Sequence, residues 1–271
     1  LINVQKSNVP ANVTLYKTQT PVVTKSDAIA LAKKFNITNY AEPKEGDSVI
    51  SVSSKDMRYN VMVYKNGGQY YENYDRSDTP NRIDISANLP SDEEAIKIAT
   101  TFLKERDLLP EGAIVGGTEH RKVYKSNKSN GSKTVTWEDI LVHYTRELNG
   151  MKVEGTQFEV EVGGHGDIIR FFSNWKDYEP IGDYPIKSRE ESISDLKQKG
   201  IPTENGPNTP DTIEIDEIYL AYETTAVAYS EEYLEPVWVF KGEALKNGTS
   251  IRPIKEFVPA LTDEGKKSLS L

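Results

Sequence analysis

The segment most informative about the fold is residues 144–175, which read YTRELNGMKVEGTQFEVEVGGHGDIIRFFSNW. From Thr156 to Val162, apolar or β-branched residues alternate with polar ones, the pattern of a half-buried strand. The turn residues 163–167 (GGHGD) precede a second strand, and residues 140–145 predict a third, followed by a turn at 148–150. Such a meander cannot bury its apolar face alone, so the rest of the chain must cover it.

Three other segments carry the signals of a helix start followed by an apolar stripe. In the first two, residues 28, 29, 31, 32 and 35 align with residues 95, 96, 98, 99 and 102 at one constant offset. Any amphipathic helix gives a similar stripe, but the matched caps and the strands that follow favour a structural duplication. The capping pairs are Thr24 with Asp27, Ser91 with Glu94, and Ser188 with Glu191.

Strand patterns follow each predicted helix, whereas residues 1–23 and 180–185 read as an extended lead-in and a linker. This order predicts an α+β fold of repeated units, each with one helix packed on an antiparallel sheet. The predicted units are residues 1–88, 89–180 and 181–271. Their strands are predicted at residues 49–52, 60–64, 69–74, 82–85, 113–124, 134–144, 212–224, 234–241 and 251–260.

The run from Tyr144 to Gly155 (YTRELNGMKVEG), with Val160, Gly166 and Ile168, resembles the PepSY domain and the propeptide domain of thermolysin-like metalloproteases. Residues 235–240 (EPVWVF) look like a closing strand of such units, although Lys152 stands where the propeptides usually carry proline. The series also resembles extracytoplasmic regulators of Gram-positive sensor kinases. The resemblance implies a PepSY- or cystatin-like fold, a secreted or membrane-tethered location, and a binding or inhibitory role towards a peptidase or sensor without catalysis.

Composition excludes several classes of function. The chain has no cysteine, which removes disulfides, thiolate nucleophiles and cysteine-ligated metals. Its net charge of −9 and the lack of a sustained basic run argue against nucleic acid as a partner. No apolar stretch approaches the length of a membrane span. Five Asn-x-Ser/Thr sequons slightly favour an exported protein, here predicted to be a lipoprotein that meets the membrane only through a removed anchor. The first residue, Leu1, fits a removed signal peptide or lipid anchor, and it equally fits a trimmed N-terminal boundary.

Residue patterns for catalysis, metal or cofactor binding are lacking. His120, His143 and His165 are the histidines of the chain, and none lies one helical turn from another. Paired acids such as Glu93/Glu94 occur at helix starts, where they complement the helix dipole. We therefore predict no catalytic, metal-binding or cofactor-binding residues.

Aromatic residues supply the candidates for partner binding. Neighbouring residues on one strand point to opposite faces, so a cluster of strand tyrosines cannot lie entirely in the core. Exposed aromatic side chains are common anchors of protein recognition. The predicted partner-binding residues are Tyr70, Tyr71, Tyr74, Trp137, Tyr219 and Tyr222.

The sequence thus predicts an extracytoplasmic protein-interaction or regulatory module without catalytic activity, which presents sheet faces or edges to a protein partner. Strand addition is one mode of binding that such an edge allows. Two alternatives remain open. One is a hydrolase of a cell-surface polymer, which requires two acids facing each other across a cleft. The other is a small-ligand binding module, which requires an enclosed pocket between units.

Overall fold

The computed structural model describes residues 9–77, 88–126, 131–202, 209–227 and 229–269. Of these residues, 49 % are strand and 20 % helix, so the fold is mainly β. Its strands are β1 (Asn12–Gln19), β2 (Lys44–Glu45), β3 (Val49–Ser53), β4 (Tyr59–Tyr64), β5 (Gln69–Asn73), β6 (Ile114–Ser126), β7 (Lys133–Thr145), β8 (Glu147–Leu148), β9 (Met151–Glu154), β10 (Phe158–Val162), β11 (Ile168–Ser173), β12 (Asp177–Pro185), β13 (Thr212–Glu223), β14 (Tyr233–Lys246) and β15 (Thr249–Pro259).

These strands form two large sheets. The first sheet has eight strands in the order β2-β3-β4-β5-β11-β10-β7-β6. The second has seven, in the order β12-β1-β14-β13-β9-β8, with β15 paired to β14. Pairing is antiparallel throughout except between β9 and β13.

The helices lie on these sheets. They are α1 (Lys25–Lys34), α2 (Tyr74–Ser77), α3 (Asp92–Glu105), α4 (Arg189–Lys199) and α5 (Asp263–Ser268), with a single 3₁₀ turn at Gly164–Gly166. Helix α1 contacts β3 and β4, while α3 contacts β7 and β10 of the same sheet. Phe35 stacks on Tyr71 at 4.1 Å between ring centroids and also contacts Phe102 of α3 at 5.8 Å. One apolar core therefore lies under both helices.

The predicted α+β architecture of repeated helix-on-sheet units is wrong. Strand β5 of the first predicted unit pairs with β11 of the second, so both helices cover one continuous sheet. Local patterning predicted the helices and strands but carries no information about which distant strand edges meet.

Sheet pairing crosses both boundaries between the three predicted units. The predicted lead-in contains β1, which pairs with β12 and β14, and the predicted linker at 180–185 is part of β12. Strands β8 and β9 leave the meander and join the second sheet beside β13. The polar composition of β12 concealed that strand, because most of its side chains are exposed, whereas β1 combines buried Val13, Leu15 and Tyr16 with polar residues.

Other local predictions are confirmed. Helices α1 and α4 begin with the predicted capping boxes, and the Ser91 hydroxyl accepts a hydrogen bond from the Glu94 amide at the start of α3. Helix α4 ends at Gly200, which adopts φ 72°. The predicted strand at residues 82–85 lies outside the described residues.

Within the described ranges, the chain passes between the two sheets four times, after β1, β7, β9 and β11. A buried cluster of charged and aromatic groups lies at two of these crossings, those after β7 and β11. Lys176, which follows β11, directs its Nζ to the Oε2 of Glu231 at 3.3 Å and to the hydroxyl of Thr225 at 3.1 Å. The Arg146 guanidinium, which follows β7, lies between the rings of Trp175 and Tyr178, at 4.5 and 4.4 Å from their centroids.

Glu231 is the acceptor at the centre of this junction. Its carboxylate also accepts from the Tyr178 hydroxyl at 2.9 Å, the Thr224 hydroxyl at 3.0 Å and the Thr225 amide at 2.5 Å. The Lys176 and Glu231 side chains are 3 % and 2 % exposed, so each charge depends on these partners.

Gly242 tests the packing of the second sheet. It lies opposite Ile215, where β13 carries a bulge, and a Cβ at this position would lie 1.8 Å from the Glu214 carbonyl oxygen. We expect Gly242→Ala to lower the free energy of unfolding, measured by urea denaturation, by about 1–3 kcal/mol or more. At Gly46 a Cβ would meet Val49 O at 3.5 Å, so Gly46→Ala is the control; equal stability of the two variants would contradict this packing.

Candidate functional site

Tyr70 and Tyr71 lie on opposite faces of the first sheet, as strand alternation requires. Tyr71 is buried against Phe35 beneath the helices. Tyr70 lies on the other face, where its hydroxyl donates to Glu72 Oε2 at 2.5 Å. Burial raises the pKa of both phenols, which keeps them neutral.

The remaining predicted aromatic residues are dispersed. Tyr222 is buried in the second sheet and donates to the Thr14 carbonyl, whereas Tyr219 lies on the opposite face and donates to Glu154 Oε1 at 2.5 Å. Tyr74 is exposed in α2. The side chain of Trp137 lies outside the described part of the structure. The structure therefore does not bring the described members of this set to one surface.

A ladder of charged side chains crosses five adjacent strands of the first sheet, on the face opposite the helices. Arg121 Nε lies 3.0 Å from Asp139 Oδ1, and the same guanidinium contacts Glu161. Arg170 bridges Glu161 and Glu72, with N–O distances of 3.2 and 3.1 Å. The ladder thus runs through β6, β7, β10, β11 and β5 in their order in the sheet.

Asp139 and Glu161 form a carboxyl pair inside this ladder. Both are 0 % exposed, and each arginine lies on one side of the pair. Burial raises the pKa of Asp139 to about 7; the nearby Glu161 carboxylate also raises it, while Arg121 opposes the shift. The protonated Asp139 can then donate a hydrogen bond to Glu161.

This pair does not have the geometry of a glycosidase site. Hydrolysis of a glycoside requires two carboxyl groups separated by about 5 Å or more, with the sugar between them. Asp139 and Glu161 interact directly and are closed to solvent. The sequence analysis placed Asp139 inside the predicted strand 134–144 but missed the ladder. The available signal was the presence of Arg121 and Arg170 within strand segments.

Strand β6 forms a long exposed edge of the first sheet. Strand β6 spans 13 residues and pairs with β7 on one side; on its other side no described strand pairs with it. Two register shifts, at Val115/Gly117 and Val123/Tyr124, bend the edge. Its exposed side chains include Ile114, Val115 and Tyr124, at 47 %, 40 % and 51 %.

His120 fixes the centre of this edge. Its Nδ1 lies 2.7 Å from Glu138 Oε1 on β7, and its Nε2 lies 2.7 Å from Asp92 Oδ1 in the first turn of α3. Hydrogen bonding to Glu138 and then to Asp92 raises the pKa of His120. On the other face, His143 lies between Glu159 and Glu119, which also raise its pKa.

Within the described ranges, no three histidine, aspartate or glutamate side chains are arranged to hold a metal ion. The described helices are also too short or too polar to cross a membrane.

The fold and these features define a mainly β protein of two sheets joined by a buried charged junction. No family model matches the chain, and no curated protein matches it either. Among solved structures, an uncharacterised protein from Eubacterium rectale ATCC 33656 is similar in fold. Its TM-score is 0.53 at 14 % identity, over 95 % of this chain and 87 % of that chain.

An identity this low supports a shared fold and nothing more specific. Because the structure is mainly β, the α+β, PepSY-like description is wrong, and neither the fold nor the comparisons support an extracellular lipoprotein. The family relationship and the extracytoplasmic location stay predictions.

The carboxyl pair predicts a pH dependence. A carboxyl whose pKa is higher in the folded than in the unfolded protein makes stability fall as pH rises between the two values. For Asp139 this window runs from about 4, the value in an unfolded chain, to about 7. We expect Asp139→Asn, which keeps a hydrogen-bond donor towards Glu161, to remove this part of the decline in urea denaturation.

His120→Gln serves as the control for this measurement. A histidine whose pKa is raised by folding stabilises the protein below about 6.5 and loses that contribution as pH rises through its folded value. His120→Gln should therefore lower stability by a constant amount below about pH 6.5 and change the slope of the profile only above that value. Parallel wild-type and Asp139→Asn profiles between pH 4 and 6 would contradict a neutral Asp139.

Proposed function

We propose that this chain is a protein-interaction module that binds an extended segment of a partner protein along the outer edge of β6. The observation that supports this most directly is that β6 is 13 residues long and that no described strand pairs with its outer edge. An unpaired strand presents a row of N–H and C=O groups, which an extended peptide can satisfy by adding one strand to the sheet.

A comparison of the long edge strands favours β6. Strand β12 contains Pro180 and Pro185, and β15 contains Pro253 and Pro259. Proline removes an N–H donor and so protects an edge from pairing. Strand β6 has no proline in residues 114–126, so it keeps all its N–H donors, and among the described strands only β7 pairs with it.

Exposed apolar side chains at both ends of β6 supply anchor points. Ile114 and Val115 lie at one end, and Tyr124 lies at the other beside Val135 of β7, which is 43 % exposed. Strand addition draws affinity from main-chain hydrogen bonds and specificity from alternate side chains. The expected partner segment carries apolar residues spaced to meet both ends of β6.

The edge is also held in place before binding. The contacts of His120 with Glu138 and Asp92 fix β6 to its neighbour and to α3, and Lys122 Nζ lies 3.3 Å from Glu138 Oε1. A preorganised edge reduces the entropic cost of association. This arrangement suits a template for a flexible partner.

A pair of adjacent proline substitutions tests the proposal. Successive N–H groups of an antiparallel strand point alternately towards and away from the neighbouring strand. One of the two variants Thr118→Pro and Glu119→Pro must therefore lose a backbone hydrogen bond to β7, and it should melt at a lower temperature. The other variant keeps its fold and loses an N–H donor that points outward. The variant that keeps the wild-type melting temperature is the informative one.

The probe is a peptide selected from a library of linear random dodecapeptides on the immobilised wild-type protein. We expect it to slow amide hydrogen exchange in β6, and we expect the stable proline variant to bind it at least tenfold more weakly. Ile251→Lys, on the edge strand β15, is the control and should bind normally. Strand addition here would be refuted if the selected peptides left amide exchange in β6 unchanged. It would also be refuted if they bound the stable proline variant and Ile251→Lys with equal affinity.

A further inference from the structure

A polar cleft of about 350 Å³ opens where the two sheets meet. Its walls come from the end of β1, the end of α1, the turn between β4 and β5, the loop that follows α3, and the crossing from β11 to β12. With Phe158 at the start of β10, six separate parts of the chain converge on it. Small-molecule sites occur preferentially at such junctions, and their volumes lie in the range of about 300–1,000 Å³.

Apolar side chains form part of the wall of the cleft, among them Pro21, Leu108, Leu109 and Pro110. Phe158 and Trp175 contribute to its lining, with their ring centroids 5.6 Å apart in an edge-to-face arrangement. Phe158 is buried, whereas Trp175 is half-buried, with the Arg146 guanidinium held 4.5 Å from the centre of its ring. The indole is thus fixed in orientation before any ligand arrives, and its uncovered part borders the cleft.

The remaining lining side chains are polar and balanced in charge. Gln19, Asn66 and Gln69 contribute neutral amides and Ser173 a hydroxyl. The Gln19 and Asn66 amides also donate within the protein, to Glu179 and to the Val227 carbonyl, and the Ser173 hydroxyl accepts from the Trp175 amide. Two lysines, Lys34 and Lys176, are matched by two aspartates, Asp107 and Asp177. The Lys34 ammonium also donates to the Asp107 carbonyl oxygen at 2.9 Å, and Lys176 is committed to Glu231.

We infer that this cleft binds a small neutral saccharide, of one or two sugar rings, through the exposed part of Trp175 and the surrounding amides and carboxylates. Sugar hydroxyls both donate and accept hydrogen bonds, as side-chain amides do, and carboxylates accept them. The apolar face of a sugar ring suits contact with an aromatic side chain that is already held in position.

Other ligand chemistries fit less well. A phosphorylated or carboxylated ligand requires an excess of positive charge, and the lysines of the lining are matched by aspartates and are engaged in other contacts. A peptide that binds as a strand requires an open strand edge, whereas the walls here include turns, loops and a helix end. The volume, near the lower end of the usual range, favours a short ligand over a polymer chain.

The test uses the full chain and a panel of neutral mono- and disaccharides, including maltose, cellobiose and N,N′-diacetylchitobiose, followed by saturation-transfer NMR and calorimetry. Glucuronic acid, glucose 6-phosphate and alanyl-alanine form the comparison set. We expect binding of at least one neutral sugar and none of the comparison set. Trp175→Phe and Gln69→Ala should each weaken that binding at least tenfold.

Two controls make the outcome decisive. Tyr219 lies on the second sheet away from the cleft, so Tyr219→Phe should leave the affinity for the sugar unchanged. The melting temperature of Gln69→Ala should match that of the wild type. Absence of binding across the neutral panel, preference for an anionic ligand or the dipeptide, or unchanged affinity in Gln69→Ala would each overturn the proposal. The stable β6 proline variant should bind the sugar normally, which separates this site from the strand-addition edge.

Discussion

The ion pair between Lys176 and Glu231 is the interaction on which the arrangement of the two sheets depends. Both groups are nearly inaccessible to solvent, and an unpaired charge at either position would be costly. Lys176 belongs to the crossing between sheets, whereas Glu231 lies in the loop between the two longest strands of the second sheet. Their pairing therefore joins segments that are distant in sequence. It also fixes the connection along which the chain passes from the first sheet to the second.

Contacts around this pair extend the same constraint. Arg146, at a second crossing, donates to the Lys176 carbonyl at 2.7 Å, so two crossings are held together by one side chain. The Asn66 side chain, in the turn between β4 and β5, donates to the Val227 carbonyl in the loop that carries Glu231. Fixing the sheets in this way creates the cleft beside Trp175 and leaves the far edge of the first sheet, β6, open.

Local sequence rules explain much of the secondary structure and little of the assembly. The caps at Thr24, Ser91 and Ser188 predicted three helix starts, because the hydrogen bonds of a cap involve residues adjacent in sequence. Strand partnership depends on long-range pairing, so nothing in Leu15 or its neighbours indicates that β1 belongs beside β12. The buried Asp139 was missed for a related reason: a charged residue is normally exposed, and its arginine partner lies on another strand.

Hydrogen exchange in a Lys176→Met variant tests the central claim most directly. Loss of the lysine leaves the Glu231 carboxylate buried without its counter-charge, which should cost about 3–5 kcal/mol. We predict faster amide exchange at the crossing from β11 to β12, in the loop containing Glu231 and in the turn between β4 and β5. Lys65→Met, which removes an exposed pair with Glu45 at 2.8 Å, should change stability by no more than about 1 kcal/mol. If Lys176→Met left exchange in all three segments at the level of Lys65→Met, the junction would not be what holds the two sheets together.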